Sequence, residues 1–229
     1  MRAVNTFLID LGDEDLVLVD AGTPGEAGRI LDAVGELGRD PADVRHILVT
    51  HCHVDHAGGL VELKEATGAP AYMHPSDAEM VRSGRALRPL TPTPGIFNRV
   101  TFWLLLRNAP STLQATEVEH EVLDGEVLAL AGGIRAVHVP GHCAGQLAFL
   151  WSGGGHGGVL FAADAAANVA GLRLSPAHED LEEGKRSANK LAELDFEAAC
   201  FGHGREIPRG ASERFGKAFA ANLATPATR

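Results

Sequence analysis

The amino-acid sequence predicts an α/β protein in which two sheets are flanked by helices. Apolar or alternating runs typical of strands recur along the whole chain, and runs with helical spacing lie between them. No repeat or low-complexity linker interrupts the 229 residues, so we expect a single domain over residues 1–229. The alternation stops at about residues 85–116, where four prolines surround an apolar block and predict an insertion.

Each element is predicted from alternation, helical spacing and turn residues. The predicted strands are residues 3–9, 16–19, 47–49, 71–73, 118–123, 126–130, 134–139, 147–151, 159–162 and 199–201. The predicted helices are residues 24–37, 58–67, 76–84, 180–194 and 211–223. Thr23 and Ser76 are each followed three residues later by Glu, which predicts a capping box at two helix starts. Gly38 is expected to end the first helix.

Charge and composition narrow the classes of function. The 20 Lys and Arg residues and 30 Asp and Glu residues give a formal net charge of −10 without a basic cluster, so we expect no nucleic-acid partner. No apolar run approaches the roughly 20 residues of a bilayer-spanning helix, so no integral membrane association is expected. Three cysteines and the lack of a signal-peptide pattern indicate a cytoplasmic protein. The expected partner is a small-molecule substrate, and a homodimer stays open.

Histidine is unusually frequent, with 11 residues against a single tyrosine, and several fall in one short segment. His51, His53, Asp55 and His56 lie within six residues, directly after an apolar strand. An extended segment points His51 and His53 to the same side, and the glycine pair at 58–59 gives the backbone freedom to turn the other two toward them. Imidazole and carboxylate together suit zinc or ferrous iron. The spacing favours a metal site over a solvent-exposed histidine-rich loop.

Three later residues extend this candidate set. His142, Asp164 and His203 each follow a predicted strand and stand in a loop of small residues. One segment cannot surround two metal ions, so further ligands must come from elsewhere in the chain. Taken singly, each residue has a plain structural alternative, because Asp164 could cap a helix and the two histidines could form loop hydrogen bonds.

These motifs, in this order and preceded by Asp20 in a Leu-Val-Asp-Ala-Gly segment, resemble the metallo-β-lactamase-fold hydrolase superfamily, in particular its hydroxyacylglutathione-hydrolase-like dinuclear branch. The resemblance covers nearly the whole chain. It implies a four-layer αββα sandwich of two mixed sheets, with the metal site at strand ends along one edge. The implied ligands are His51, His53 and His142 for the first metal, Asp55, His56 and His203 for the second, and Asp164 as a bridge. Asp20 would orient ligands without touching a metal.

The resemblance also implies a chemistry. It implies two divalent metal ions, with zinc expected and iron or manganese as alternatives, and a hydroxide that bridges them at neutral pH. This hydroxide would attack an ester, thioester or lactone carbonyl, and Asp55 would be the catalytic residue that helps to orient it. A mononuclear iron enzyme of the persulfide-dioxygenase type and an acyl-homoserine lactonase are the alternatives. Lactonases of this fold commonly use a tyrosine near the metals, and the single Tyr72 lies outside every metal motif.

The insertion is the expected determinant of specificity. Its apolar block, residues 96–106, is too short to span a bilayer. We interpret it as a hydrophobic lid over the metals, in which Phe97 and Trp103 would contact an acyl or aromatic substrate. The alternatives are that these side chains pack on the body or on a second subunit, or that they contact a membrane surface.

Overall fold

The structure is a computed structural model that describes residues 4–10, 12, 15–153 and 157–220. Its strands are β1 (Phe7–Ile9), β2 (Leu16–Val19), β3 (Val44–Leu48), β4 (Ala71–Met73), β5 (Thr91–Pro92), β6 (His120–Glu121), β7 (Val127–Leu128), β8 (Ile134–His138), β9 (Leu147–Trp151), β10 (Val159–Phe161), β11 (Ala177–His178) and β12 (Ala198–Cys200). Its α-helices are α1 (Ala27–Glu36), α2 (Val54–Ala57), α3 (Leu60–Thr67), α4 (Pro75–Arg82), α5 (Ile96–Thr101), α6 (Leu181–Ala192) and α7 (Ala211–Phe219). A π-helix (Phe102–Leu106) continues α5.

Two five-stranded sheets are formed by the described residues. The first has the order β1-β2-β3-β4-β6, in which the first pair is antiparallel and the other pairs are parallel. The second has the order β12-β10-β9-β8-β7, in which β10 and β12 are parallel and the other pairs are antiparallel. In the first sheet β2 and β3 run in one direction, and in the second β8, β10 and β12 do. The loops after these strands therefore open at shared sheet edges.

Apolar cores separate four layers. A central core holds side chains from both sheets, such as Val19 from β2 and Phe149 from β9. An outer core joins the first sheet to α1, α3 and α4, and another joins the second sheet to α6 and α7. Strand alternation explains the division, because Leu18 points into the outer core and its neighbour Val19 into the central one. This is an αββα sandwich, and the predicted fold class is confirmed.

The start of α1 differs from the prediction, and its end agrees with it. Thr23 and Glu26 close a turn in which the Glu26 N–H donates to the Thr23 carbonyl at 3.2 Å. The Glu26 carboxylate pairs with Arg29, so it makes no capping box and the helix begins one residue after it. Gly38 takes a left-handed φ of +73° directly after the C-cap residue Leu37, as a helix-ending glycine does.

The cap of α4 also differs from the prediction. Pro75 occupies the first helical position, which suits proline because no partner is needed for its missing N–H. The cap is therefore His74, whose Nδ1 accepts a hydrogen bond from the Ser76 N–H at 3.3 Å. The last helix ends at Phe219, and its predicted continuation over residues 221–223 lies outside the described residues.

The insertion is attached to the body by a two-stranded sheet. β5 pairs antiparallel with β11, which belongs to the long segment between β10 and α6. Next to this pair, the Thr93 hydroxyl donates to the Ser175 carbonyl at 2.7 Å and accepts from His178 Nδ1 at 2.9 Å. In the part of the chain that the structure describes, no helix has the length and apolar character needed to cross a bilayer.

Candidate metal centre

All seven predicted ligand residues converge on one edge of the sandwich. Four follow β3, and one each follows β8, β10 and β12; they are His51, His53, Asp55, His56, His142, Asp164 and His203. They form a first group (His51, His53 and His142), a second group (Asp55, His56 and His203) and a third (His51, His56 and Asp164) that shares one residue with each of the others. Within each group the ligand atoms lie within 4.8 Å of one another. Because the carboxyl ends of strands running in one direction meet at one edge, residues far apart in sequence share this site.

The first group consists of three buried imidazoles. His53 Nδ1 lies 3.1 Å from His51 Nε2 and 3.0 Å from His142 Nε2. Two nitrogens bound to one tetrahedral zinc ion are roughly 3.3 Å apart, given Zn–N bonds of about 2.0–2.1 Å. These three nitrogens therefore have a spacing close to that of ligands around one metal ion.

The second group combines Asp55, His56 and His203. Asp55 Oδ2 lies 3.3 Å from His203 Nε2 and 3.9 Å from His56 Nε2. The Asp164 carboxylate lies between the two groups: its Oδ2 is 3.5 Å from His142 Nε2 and 3.3 Å from His203 Nε2, and its Oδ1 is 3.7 Å from His56 Nε2. One carboxylate thus faces ligand atoms of both groups.

Unsatisfied polar atoms indicate that this cluster is built to hold cations. His56 Nε2 and Asp164 Oδ1 are buried without a hydrogen-bond partner among the described residues, which is costly for a site that stays empty. Gly202 leaves the room these atoms need, because a Cβ there would lie 2.3 Å from Asp164 Oδ1 and 2.6 Å from His56 Cε1. Imidazoles and carboxylates together suit divalent ions of the zinc or iron type.

Hydrogen bonds behind the cluster fix the direction of the rings. His142 Nδ1 donates to the Ala177 carbonyl at 2.8 Å, so its Nε2 faces the other ligand atoms. His51 Nδ1 lies 3.0 Å from the Thr50 hydroxyl, which in turn donates to Asp20 at 3.0 Å. Such outer partners select the tautomer and orientation of a metal-binding imidazole.

Asp20 contacts the second group through Nδ1 of His56. Its buried carboxylate lies 2.7 Å from His56 Nδ1 and accepts the Thr50 N–H at 2.8 Å. The residue has a φ of +63°, a conformation that is costly for a side chain other than glycine and that persists only where the surroundings demand it. Asp20 therefore lies where the resemblance expects an orienting residue.

Replacing Asp20 by alanine is expected to weaken metal binding about 10- to 100-fold, because His56 loses the partner that orients it. Competition with a chromogenic chelator measures this affinity. Asp32→Ala, an exposed replacement on α1, is the matched control and should leave it unchanged. Unaltered affinity in Asp20→Ala would show that the His56 ring is held by other contacts.

Burial keeps His51 and His53, two members of the first group, neutral. It lowers the pKa of His53 to about 3 and that of His51 well below its usual range, and the neighbouring imidazoles act in the same direction. A neutral imidazole is the form that binds a metal. These two side chains therefore need to lose no proton on metal binding at neutral pH.

Nearby carboxylates raise the pKa values of the two histidines in the second group. Burial disfavours charge on His56, but Asp20, Asp55 and Asp164 outweigh it and raise its pKa to about 9. The carboxylate of Asp164 raises the pKa of His203 to about 11, against the effect of burial and with the help of Asp55. Both side chains carry a proton at pH 7 when no cation neutralises the carboxylates.

Zinc binding to the metal-free protein at pH 7 is expected to release at least two protons per chain, one each from His56 and His203, and a third where metal-bound water becomes hydroxide. Their pKa values of about 9 and about 11 lie above pH 7, so each must lose a proton to become a ligand. Apparent affinity should accordingly rise between pH 7 and pH 9. Titration calorimetry in buffers of different ionisation enthalpy counts the protons, and a count near zero would contradict the assignment.

A buried carboxylate that the sequence analysis missed supports the ligand loops. Asp77, on α4, is fully buried and accepts the Cys52 N–H, between the first two histidine ligands, at 3.1 Å. It also accepts the Gly145 N–H, in the loop after β8, at 3.1 Å. Only glycine permits this approach, because a Cβ at position 145 would lie 2.6 Å from the Asp77 carboxyl carbon. Asp77 thus joins the two loops that carry the first group.

Arg88 and Glu179 complete this network. Arg88 donates to Asp77 at 2.8 Å and to Glu179 at 3.2 Å, and these carboxylates raise its pKa against the effect of burial. Glu179 accepts the Ala144 N–H at 3.0 Å. The buried thiol of Cys143 lies 3.3 Å from Glu179, and burial raises the pKa of that thiol well above its usual range.

The predicted lid residues lie on the insertion, next to the segment between β10 and α6. The Arg173 guanidinium lies 5.6 Å from the centre of the Phe97 ring, and the Arg107 guanidinium lies 4.8 Å from that of Trp103. Arg173 belongs to the segment that leads from Asp164 to β11. A role of Phe97 and Trp103 in substrate contact stays a prediction.

Comparison with known proteins defines the family. Residues 1–203 match the family model described as the metallo-beta-lactamase superfamily. The protein YobT of Bacillus subtilis (strain 168) is 30% identical over 230 residues, covering 94% of this chain and 88% of YobT. YflN of the same organism, described as a probable metallo-hydrolase, is 28% identical and covers 89% of this chain and 81% of YflN.

A solved structure has the same fold. A metallo-beta-lactamase of Cronobacter sakazakii with a HARLDQ motif superposes with a TM-score of 0.69 and 22% identity, over 88% of this chain and 72% of that one. Fold and clustered ligands together define a metal-dependent hydrolase. The chain belongs to the metallo-beta-lactamase superfamily.

Proposed function

We propose that this protein is a dinuclear metal-dependent hydrolase that cleaves an ester, thioester or lactone bond, as in the hydroxyacylglutathione-hydrolase-like branch. The position of Asp164 is the observation that supports this proposal most strongly. Its carboxylate lies within 3.7 Å of ligand nitrogens in both groups, which is the place of a bridging ligand. The name of the relative YflN, a probable metallo-hydrolase, agrees with this class of reaction.

The chain's own residues have separate roles in this proposal. Two divalent metal ions, with zinc expected, would supply a hydroxide at neutral pH and polarise the substrate carbonyl. His51, His53 and His142 would hold one ion, and the second group would hold the other. The Asp55 side chain is 36% exposed, whereas that of Asp164 is 5% exposed. Asp55 is therefore the ligand carboxylate that incoming water can reach, and we assign it the orientation of the nucleophile.

Hydrolysis assays of the metal-loaded protein test this function. A panel of esters, thioesters, lactones and phosphodiesters should give turnover on at least one carbonyl compound, and Asp55→Ala should abolish that turnover. Cleavage of phosphodiesters alone would contradict the proposed substrate class. One iron ion per chain together with oxygen consumption on a glutathione persulfide would instead establish the mononuclear dioxygenase alternative.

Phe97 and Trp103 are exposed in this structure, and a lid that closes would turn them onto the bound substrate. On this proposal, Phe97→Ala and Trp103→Ala are expected to reduce the preference for long acyl chains, because both remove apolar surface from the lid. The measurement is kcat/KM over a series of esters of increasing acyl length, in which each loss should appear mainly in KM. Val127→Ala, on an exposed edge strand, is the control. An unchanged chain-length profile in both variants would contradict the lid.

A further inference from the structure

An apolar face of the insertion points into solvent. It consists of Ile96, Phe97, Val100, Trp103 and Leu104, which we call the outward face; they are 83%, 54%, 50%, 59% and 63% exposed. Their spacing of i, i+1, i+4, i+7 and i+8 places them on one side of α5 and its π-helical continuation. Phe102, on the other side, borders a pocket with Leu87 and Leu90. No residue of α5 is buried, and the contacts found on the outward face in the described chain are those of two guanidinium groups, Arg107 at Trp103 and Arg173 at Phe97.

The charge of the insertion is opposite to that of the chain. Residues 85–116 contain four arginines and no acidic residue, in a protein whose net charge is −10. Arg88 is paired with Asp77 and Glu179, whereas Arg85, Arg99 and Arg107 are exposed and no acidic partner is found for them among the described residues. The Arg107 guanidinium lies over the Trp103 ring, so positive charge stands directly beside the outward face.

We propose that the outward face docks on an anionic lipid surface. Helices that lie in a membrane interface combine an apolar side that enters the headgroup boundary with flanking cations that bind lipid phosphates. Trp103 provides an aromatic ring of the kind found at this depth. Arg99 and Arg107 provide the cations, and their long side chains can reach the headgroups while the apolar side chains are buried.

A second copy of the chain fits these features less well. An isologous contact through the outward face would bring the arginines of both copies together, where like charges repel. A heterologous contact would need an apolar patch elsewhere on the surface. The other large apolar side chains that are exposed in the described chain are scattered over separate elements: Leu37, Leu123, Val127 and Val169.

Docking in this orientation would bring the ligand loops near the lipid surface. The insertion is attached to the segment before α6 through the β5–β11 pair. At the base of the insertion, Arg88 donates to Asp77, the carboxylate that joins the two ligand loops. The proposal does not depend on the identity of the substrate, because it rests on the surface of the insertion alone.

Vesicle flotation of the full-length, metal-loaded protein tests the proposal. Binding is expected with vesicles that contain 30% phosphatidylglycerol in phosphatidylcholine, to weaken as salt is added, and to be absent with pure phosphatidylcholine. In a Trp151→Phe background, Trp103 fluorescence should shift to shorter wavelength on binding. Equal binding to both vesicle types, or binding to neither, would overturn the proposal.

Two sets of variants separate the apolar and charged contributions. Arg99→Gln with Arg107→Gln should weaken binding roughly 25-fold, at about 5-fold for each cation. Arg209→Gln with Arg214→Gln makes the same change of charge near α7 and should have no more than a small effect. Ile96→Ser with Val100→Ser and Leu104→Ser should abolish binding without changing the unfolding midpoint, because these side chains are exposed. If this triple variant instead changes a dimer into a monomer and the parent protein binds no vesicles, the outward face is a subunit interface and the proposal is wrong.

Discussion

Asp164→Ala is expected to lower turnover by more than about 100-fold and to reduce the bound metal from two ions to one or none. Loss of a residue behind a metal ligand already costs about 10- to 100-fold, and Asp164 faces both groups directly. Its Oδ2 lies 3.3 Å from His203 Nε2 and 3.5 Å from His142 Nε2, whereas the other carboxylate, Asp55, faces only histidines of the second group. The measurements are metal content by mass spectrometry and kcat on the best carbonyl substrate.

Controls for this variant separate loss of the site from loss of the fold. Asp164→Asn keeps the size of the side chain but not its charge, and it should also lose one metal ion. Asp32→Ala removes an exposed carboxylate from α1 and should keep both ions and full turnover. Two bound ions and normal turnover in Asp164→Ala would contradict the bridging role.

Asp77→Ala is expected to destabilise the protein by about 3–5 kcal/mol, the range for removing one partner of a buried ion pair. Arg88 would lose one of its two carboxylates, and the N–H groups of Cys52 and Gly145 would lose their acceptor in a buried environment. Metal affinity should fall as well, because both loops of the first group lose their common support. Urea unfolding followed by circular dichroism measures the first effect, and chelator competition measures the second.

Glu213→Gln is the matched control for Asp77→Ala. It removes a carboxylate whose partner, Lys217, is exposed on α7, and we expect no resolvable change in the unfolding midpoint. Arg88→Gln should destabilise the protein less than Asp77→Ala, since Asp77 keeps both of its backbone donors. A midpoint of Asp77→Ala equal to that of the parent protein would show that water replaces the carboxylate without cost.

The sequence predicted the fold and the cluster because both depend on local signals. The apolar run 16–19 is strand β2 as predicted, and the apolar run 47–49 overlaps the end of β3, which begins three residues earlier at Val44. The four ligands after β3 are recognisable because they are adjacent in sequence. The convergence of His142 and His203 with them followed from resemblance, since spacing alone gives no distance between residues so far apart.

The supporting residues could not be predicted in the same way. Asp77 lies within a polar segment, and its importance comes from contacts with Cys52, 25 residues away, and Gly145, 68 residues away. The predicted capping boxes were wrong for a local reason. Pro75 is more favourable at the first helical position than Ser76 is as a cap. Before α1, Thr23 and Glu26 close a turn instead of a capping box.

Metal quantification of protein purified without chelator tests the central claim most directly. The seven clustered residues predict two divalent ions per chain, falling to one when His203→Ala removes a ligand of the second group. Two ions in the parent protein and one in the variant would support a dinuclear centre. A single ion in the parent protein, unchanged in His203→Ala, would contradict it.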